Sequence, residues 1–432
     1  MKLFDLFQKK QVTICEESEL KSGVIEKEPS FLMAVSANPE SLKDIDRLIN
    51  QINDADDLKV VARKLGEEPA VVVSYKEKEY LVEFSFEIFD RPEIFRVMHD
   101  LNDEEQEVIR NADKGLLAKM TFTEDNMDSF HTQIKVINAM VPDLVGVLDF
   151  SAEKIISARW VRLAATSRVA PAPSYLYTVQ AVSDKSEVWL HTHGLNRAGS
   201  VELEIIDSNK TVYGDQYHAL SAFAERIITT GEAVNEEEPL YIGMLSNNQE
   251  VMATWIDYRR VLSAYRKNIL GGVKDRQDAH NENTGIMYIY QSEEDYKNRK
   301  FSPISIYNRQ LQDNPIFMKT TKETKRMSEL AMERIPFLQR LYKDGTCKQI
   351  LIKVGLKVDP EYDNGDNNRE HIWFEVKSMT ETSICGILTQ QPYYVSTIKE
   401  GDERNIEDHE ITDWIAFREE DTITPDSVYR LS

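Results

Sequence analysis

The chain has 432 residues, and its 74 acidic residues outnumber 52 basic ones to give a formal net charge of −22. Apolar residues form 41% of the chain and charged residues 29%, which is typical of globular proteins and excludes general disorder or a fibrous repeat. An acidic surplus repels phosphates and anionic lipid headgroups, so nucleic acids and membrane surfaces are excluded as leading partners. The length indicates two or three domains.

Cysteine usage and hydropathy indicate a cytoplasmic protein. The three cysteines, Cys15, Cys347 and Cys385, are far apart and form no CxxC pair, which argues against a disulfide framework or a zinc ribbon. The N-terminal stretch carries Asp5 among its apolar residues and therefore lacks the core of a signal peptide. No stretch approaches the ~20 apolar residues that span a bilayer.

Strands and helices alternate in the first predicted domain, residues 1–160. Apolar periodicity predicts a helix opened by Asn38-Pro39, an acidic helix over residues 103–113 and a third helix whose apolar face includes Phe130 and Ile134. Strands are predicted at residues 31–35, 71–75, 80–89, 116–122 and 144–150. Mixed elements in this order predict an α+β fold.

The second predicted domain, residues 161–318, repeats this order more loosely. It has a predicted strand at 201–206, a helix at 217–229 and a strand at 239–245. The long helices of both domains begin with an aromatic–histidine pair, Phe130-His131 and Tyr217-His218, 87 residues apart. This spacing is compatible with two related mixed sheet and helix units that arose by duplication.

The third predicted domain, residues 319–432, is a small module of one helix and several strands. Thr320 and Glu323 have the spacing of a capping box ahead of a helix predicted at 327–342. Strands are predicted at residues 348–358, 371–377, 383–388 and 414–417. One helix with short strands predicts a partly closed, barrel-like sheet.

An acidic turn in this module resembles a calcium loop only in part. Four carboxylates fall at loop positions 1, 3, 5 and 12, namely Asp359, Glu361, Asp363 and Glu370. The glycine required at position 6 is replaced by Asn364, and strands rather than helices flank the segment. The sequence therefore favours a solvated turn over a calcium site.

Residues 187–206, which include a His-Thr-His-Gly strand, contain the most suggestive polar pattern in the chain. If two strands pair with His193 opposite Ser200, alternation places five side chains on one face, namely Trp189, His191, His193, Glu202 and Glu204. Histidine nitrogens and carboxylates bind Zn²⁺, Mn²⁺ or Fe²⁺, so His191, His193 and Glu202 are candidate metal ligands. The alternative is a polar face on which cross-strand His–Glu pairs stabilise the sheet.

A second polar cluster follows Gly271-Gly272. The candidate ligand-binding residues there are Asp275, Arg276 and His280. In one interpretation these side chains fix their own loop through Asx turns and an Arg–carboxylate fork. In the other, His280 is a third metal ligand or an acid–base partner of the strand that carries His191 and His193.

Two parts of the chain resemble families of uncharacterised bacterial proteins. In the middle region the resemblance is carried by 175–179, Trp189-Leu-His-Thr-His-Gly-Leu195, 202–205, 270–272, 275–276 and 280–281. The tail resembles a YegJ-type domain of unknown function through 370–373, 386–388, Pro392, 401–402 and 411–414. The resemblance implies a bacterial cytoplasmic protein of two parts and implies no activity, substrate or catalytic residue.

The leading functional hypothesis is a non-enzymatic protein that binds a protein partner. The chain contains no GxxxxGK[ST], GxGxxG, GxSxG or HExxH motif, so nucleotide cradles and common hydrolase sites lack support. The acidic surplus favours a basic partner, which the protein would regulate or, for a toxin, neutralise. The alternative is a metal-dependent hydrolase or ligand sensor that uses His191 and His193; otherwise no cofactor is expected.

Charge is unevenly distributed among the three predicted domains. The formal net charge is −12 for residues 1–160, −4 for 161–318 and −6 for 319–432. A charge-steered partner and a ligand site are therefore expected on different domains.

Overall fold

The part of the chain that the structure describes contains both helices and strands, and the strands form three separate sheets, which confirms the α+β class. The computed structural model describes residues 20–53, 57–90, 95–97, 99, 101–230, 234–276, 282–313, 315–363, 365 and 368–431. Contacts group the chain into two units, one of Met1–Val161 with Ala172–Thr320 and one of Arg162–Pro171 with Thr321–Ser432. The three-domain division with boundaries at 160 and 318 stays a prediction.

The first part of the chain contains a sheet of eight strands together with helices, as the described residues show. Its elements are β1 Ser30–Ser36, α1 Ile45–Gln51, β2 Leu58–Lys64, β3 Ala70–Tyr75, β4 Lys78–Ile88, β5 Arg96–Val97, α2 Asp103–Asn111, β6 Lys114–Met120, α3 Asn126–Met140, β7 Leu144–Asp149, β8 Lys154–Ser157 and α4 Ala158–Thr166. The strand order is β2-β3-β4-β6-β1-β7-β8-β5, and within the described residues of this sheet only the β5–β8 pair is parallel. The core side of α3 buries Phe130, Ile134 and Ile137 completely, as its apolar spacing predicts.

The second sheet also has eight strands. Its elements are β9 Thr178–Asp184, β10 Glu187–His193, β11 Glu202–Asn209, α5 Tyr213–Thr230, β12 Leu240–Met244, β13 Glu250–Asp257, α6 Tyr258–Val261, β14 Thr284–Tyr290, α7 Glu293–Lys297, β15 Ser302–Pro303, α8 Asn308–Leu311 and β16 Ile316–Phe317. Seven strands follow the order β16-β12-β13-β14-β11-β10-β9, while β15 pairs with β14. The histidine strand β10 lies between β9 and β11, one strand from the edge.

Both aromatic–histidine pairs lie on helices, but in different environments. Phe130 and His131 on α3 are fully buried, and His131 Nδ1 is 2.9 Å from the Tyr75 hydroxyl. On α5, Tyr217 is 37% exposed and His218 is also exposed. The two pairs begin at the fifth residue of their helices but differ in burial, and the duplication stays a prediction.

The third sheet belongs to the second unit and has six strands. Its elements are α9 Thr321–Glu333, α10 Ile335–Asp344, β17 Cys347–Lys357, β18 Arg369–Met379, β19 Ile384–Leu388, β20 Glu403–Ile406, β21 Ile411–Arg418 and β22 Thr422–Ile423. The order is β20-β19-β18-β17-β21-β22, with every pair antiparallel. Among the described residues this sheet is open and closes into no barrel, which differs from the barrel-like form that short strands suggested.

The prediction of a single helix at 327–342 is wrong, because the structure has two helices, α9 and α10, separated at Arg334. Pro336 has no backbone N–H and cannot continue the hydrogen-bond ladder of α9, yet it fits the first turn of a new helix. The first predicted helix also begins later than expected. Residues 39–42 form a 3₁₀ turn, and α1 starts after Asp44, whose side chain accepts the Arg47 amide.

In the part of the chain that the structure describes, none of the helices combines the length and the apolar character that a bilayer-spanning segment requires.

Candidate functional site

The histidine strand β10 lies in a register two residues away from the one assumed. The structure pairs Leu190 with Ile205 and His191 with Glu204, whereas the assumed hairpin pairs His191 with Glu202. A 3₁₀ turn over Asn196–Ala198 lengthens the connection and displaces the start of β11. A shift of two residues keeps each side chain on its face of the sheet, since side chains alternate with period two.

Glu204 forms a fully buried ion pair with Arg276. Two guanidinium nitrogens of Arg276 contact the two carboxylate oxygens of Glu204, with Nη1 at 2.8 Å from Oε1. The indole Nε1–H of Trp189 donates to Glu204 Oε2 at 3.1 Å. The carboxylate and the guanidinium are 0% and 1% exposed, so bulk water does not screen this pair. Burial raises the pKa of Glu204 to about 7, while Arg276 acts in the opposite direction.

The loop after Gly271-Gly272 holds Arg276 in place. The guanidinium Nε–H donates to the Gly271 carbonyl at 3.0 Å, and its carbon lies 4.4 Å from the centroid of the Tyr258 ring. Gly271 has a φ of +80°, and a Cβ there would lie 2.8 Å from the Trp189 ring. Both the backbone conformation and the close approach of Trp189 therefore require glycine.

Asp275 has a local role in the same loop. Its carboxylate accepts the Gly271 amide at 2.9 Å, as expected for a side chain that closes its own turn. Arg276 does not form its fork within the loop and instead reaches a carboxylate 72 positions away on β11. His280 lies outside the described residues.

Glu202 closes the turn that follows the histidine strand. Its Oε2 accepts the Thr192 hydroxyl at 2.6 Å, and its Oε1 accepts the amides of Gly194 and Asn196 at 2.8 and 3.1 Å. Burial raises the pKa of Glu202, and these donors act in the opposite direction. Both oxygens of this candidate ligand are thus engaged in shaping the connection to β11.

The two histidines are packed among aromatic and acidic neighbours. The His191 ring is 3% exposed at residue level and lies 4.1 Å from the Trp189 ring and 5.0 Å from the His193 ring, centroid to centroid. His193 Nε2 is 3.4 Å from a carboxylate oxygen of Glu153. Burial lowers the pKa of His193 to about 4, so this imidazole is neutral at pH 7.

No group of three His, Cys, Asp or Glu side chains within the described ranges is arranged to hold a metal ion. His191, His193 and Glu202 accordingly do not form such a group there. Of the predicted acids, Glu204 pairs with Arg276, and Glu202 closes the turn after β10. These buried contacts form a polar layer that stabilises the junction of β10, β11 and the 271–276 loop.

A second buried ionic cluster lies in the same unit, and the sequence analysis did not predict it. Arg197 donates two hydrogen bonds to Asp149, at 3.0 and 2.8 Å, and another to the Ser30 hydroxyl. Lys154 is fully buried and donates to the carbonyls of Tyr175 and Tyr177. Burial lowers the pKa of Lys154 to about 7. Isolated charged residues carry no sequence pattern that could have predicted these partners.

A serine–histidine contact also appears in the first unit. The Ser157 amide donates to His99 Nδ1 at 3.2 Å, and the Ser157 hydroxyl accepts the Trp160 amide in the first turn of α4. Burial lowers the pKa of His99 to about 3, and Ser157 is 0% exposed. A buried serine that caps a helix offers no accessible nucleophile, so this contact is structural.

Fold and site together define an α+β protein whose prominent polar residues form buried structural networks. Residues 30–171 match the family model described as "Protein of unknown function (DUF4026) N-terminal", and residues 179–288 match its C-terminal counterpart. Residues 337–425 match the model described as "Uncharacterized protein conserved in bacteria (DUF2314)". The chain therefore carries both DUF4026 domains and a bacterial conserved DUF2314 domain. The YegJ-type resemblance of the tail stays a prediction.

Comparison with curated proteins finds no matching relative. Comparison with solved structures finds no match either.

Proposed function

We propose that this protein is a non-enzymatic cytoplasmic protein that acts by binding a basic protein partner. The observation that supports this proposal is the distribution of charged residues between the buried set and the rest of the chain. Among the described residues, the buried charged side chains comprise seven acids and six bases, a balance of −1. Nearly all of the net charge of −22 therefore lies outside this buried set.

Three of the buried acids form specific pairs with buried bases. Glu204 pairs with Arg276, Asp149 with Arg197 and Glu323 with Arg326. These carboxylates hold the fold together and contribute little to the outer field. Unmatched acids at the surface produce the long-range field that accelerates encounter with a basic protein. Such a field acts over about 8 Å at physiological ionic strength and weakens as salt increases.

The absence of catalytic motifs in the sequence and the structural engagement of Glu202 and Glu204 also support binding rather than catalysis. A regulatory or toxin-neutralising role has the same chemical requirement, which is an acidic surface that covers a basic one.

The test is affinity capture from a bacterial extract with the full chain as bait, at about 0.05 M and about 0.5 M salt. We expect one basic protein to be retained in stoichiometric amount at low salt and released at high salt. Recovery of no stoichiometric protein would overturn the proposal. So would a partner that is acidic, or one whose retention does not depend on salt.

A further inference from the structure

Three tyrosines form an exposed aromatic surface on the second unit. Tyr362, Tyr393 and Tyr394 are 48%, 80% and 50% exposed, and Tyr393 has the largest exposed fraction among the large hydrophobic side chains that the structure describes. The Tyr394 ring centroid lies 5.2 Å from that of Tyr362 and 6.3 Å from that of Tyr393. We call these three residues the tyrosine platform. Exposed aromatic rings gathered in this way are typical of interaction sites.

A carboxylate clamp fixes the backbone of the platform. Glu370 on β18 accepts the amides of Tyr393 and Tyr394, each at 2.8 Å, one with each carboxylate oxygen. Acceptance by an ionised group makes these hydrogen bonds stronger than neutral ones. The chain is therefore held in one conformation before any partner arrives.

Asp359 connects the segment that carries Tyr362 to the segment that carries Tyr393 and Tyr394. Its amide donates to the Tyr394 carbonyl at 2.8 Å, and its carboxylate accepts the Ser396 amide at 2.9 Å. The Asp359 carbonyl also accepts the Tyr362 amide at 2.9 Å. All three rings thus lie on segments that are hydrogen-bonded to one another, which reduces the conformational entropy lost when a partner binds.

The resemblance to a calcium loop is explained by these contacts. Two of its four carboxylates, Asp359 and Glu370, accept backbone amides of the 393–396 segment and position the tyrosines. The other two, Glu361 and Asp363, are exposed beside Tyr362. Acids that matched a metal pattern in the sequence thereby build and flank an aromatic surface.

The charge around the platform favours a cationic ligand. Within residues 357–370 and 393–396, the charged residues that the structure describes are four acids and two bases, namely Asp359, Glu361, Asp363, Glu370, Lys357 and Arg369. The face of a tyrosine ring attracts guanidinium and ammonium groups. The same sheet already contains such a contact, since Lys353 Nζ lies 5.2 Å from the Trp373 ring centroid.

A cleft adjoins the platform where the chain continues from Tyr394. It has a volume of about 610 Å³ and is lined in part by Val395, Thr397 and Asp402. Its wall also carries Glu403 and an Arg404–Glu410 pair with two contacts of 2.7 Å. Such a cleft has room for residues that flank an anchoring arginine or lysine.

We propose that the tyrosine platform is a docking surface for an arginine- or lysine-bearing segment of a protein partner. This inference rests on the proposed function and identifies the part of the chain that would recognise the basic side chains. Cationic groups stack on the rings of Tyr393 and Tyr394, while the exposed acids Glu361 and Asp363, which flank Tyr362 in the chain, attract further basic residues of the segment.

The test measures binding of a labelled peptide of alternating arginine and glycine to the full chain by fluorescence anisotropy at low salt. We expect Tyr393→Ala to weaken binding about two- to fivefold, and Tyr393→Ala/Tyr394→Ala to weaken it further. Tyr393→Phe keeps the ring face and should bind as the wild type does. The matched control is Tyr213→Ala, since Tyr213 is 40% exposed on α5 in the first unit and should not affect binding.

Each result decides the inference. Because Tyr393 is so exposed, unchanged melting temperatures are expected and would show that the variants fold. Equal loss in Tyr393→Ala and Tyr213→Ala, or no peptide binding by the wild type, overturns the platform. Tyrosine-dependent binding of single-stranded oligothymidylate in place of the peptide also overturns it, in favour of a nucleic-acid surface.

Failure of the platform can be distinguished from failure of the proposed function. The Tyr393→Ala chain serves as a second bait in the capture from bacterial extract. If a basic partner is retained equally by both baits, the proposed function stands and the platform is wrong. If neither bait retains a stoichiometric partner, the proposed function itself is wrong.

Discussion

Replacing Arg276 with methionine should destabilise the first unit strongly. Methionine fills the space of the arginine stem but leaves the Glu204 carboxylate buried without its cationic partner, while the Trp189 N–H still donates to it. Removing one member of a buried ion pair costs about 3–5 kcal/mol, a roughly 150- to 5,000-fold shift in the unfolding equilibrium. Arg266→Met is the control, because the Arg266 side chain is 56% exposed in its pair with Glu187, so water screens that pair and its loss should cost far less than the loss of Arg276.

The cost of Arg276→Met should also depend on pH. In the wild type, burial raises the folded-state pKa of Glu204 to about 7 against an ordinary value of 4.5. The folded chain then binds more protons between these values, so this group's contribution to stability falls as pH rises through the window. Loss of Arg276 raises the folded pKa further, so the variant should be more destabilised at pH 8 than at pH 5. Adding Glu204→Gln should restore part of the stability at pH 8.

Urea unfolding followed by far-UV circular dichroism gives the free energies, and hydrogen exchange of β10, β11 and β14 locates the loss. Tryptophan fluorescence is a poor probe here, because Trp189 is hydrogen-bonded to Glu204 and its emission would change without unfolding. If Arg276→Met costs no more than Arg266→Met, or costs the same at pH 5 and pH 8, the buried pair does not stabilise the fold in this way.

Three further outcomes are expected. Burial lowers the pKa of His193 to about 4 from 6.5, so the unfolded state binds more protons between these values and stability rises with pH. His193→Gln should remove up to about 3 kcal/mol of the stability that the wild type gains between acidic and neutral pH. An equal gain in urea unfolding free energy for wild type and variant would contradict this. Gly271→Ala should cost about 1–3 kcal/mol and alter the near-UV dichroism, whereas Gly66→Ala, with φ +97° and no atom near its Cβ, should show only the backbone cost. Protein purified without a histidine tag should contain less than one metal ion per chain, and His191→Ala should not change that content; stoichiometric zinc or iron that His191→Ala removes would favour the metal-dependent alternative.

Local sequence patterns predicted the mixed fold and several elements well. The apolar spacing of Phe130, Ile134 and Ile137 is enough to predict a buried helix face, since helical periodicity is a property of consecutive residues. Alternation in β10 likewise places Trp189 on the same face as Glu204, with which it forms a hydrogen bond. The division at Pro336 could also have been predicted, because proline interrupts a helix through local chemistry.

The sequence by itself determined the fold class, the periodic faces of its elements and the polar residues that had to find partners. It did not determine those partners, because contacts between residues far apart in the chain leave no local pattern. Glu204 meets Arg276 across 72 positions, and Glu370 holds Tyr393 and Tyr394 across 23 and 24. Only the tertiary structure decided that the first carboxylate stabilises a buried network, whereas the second fixes an exposed aromatic surface.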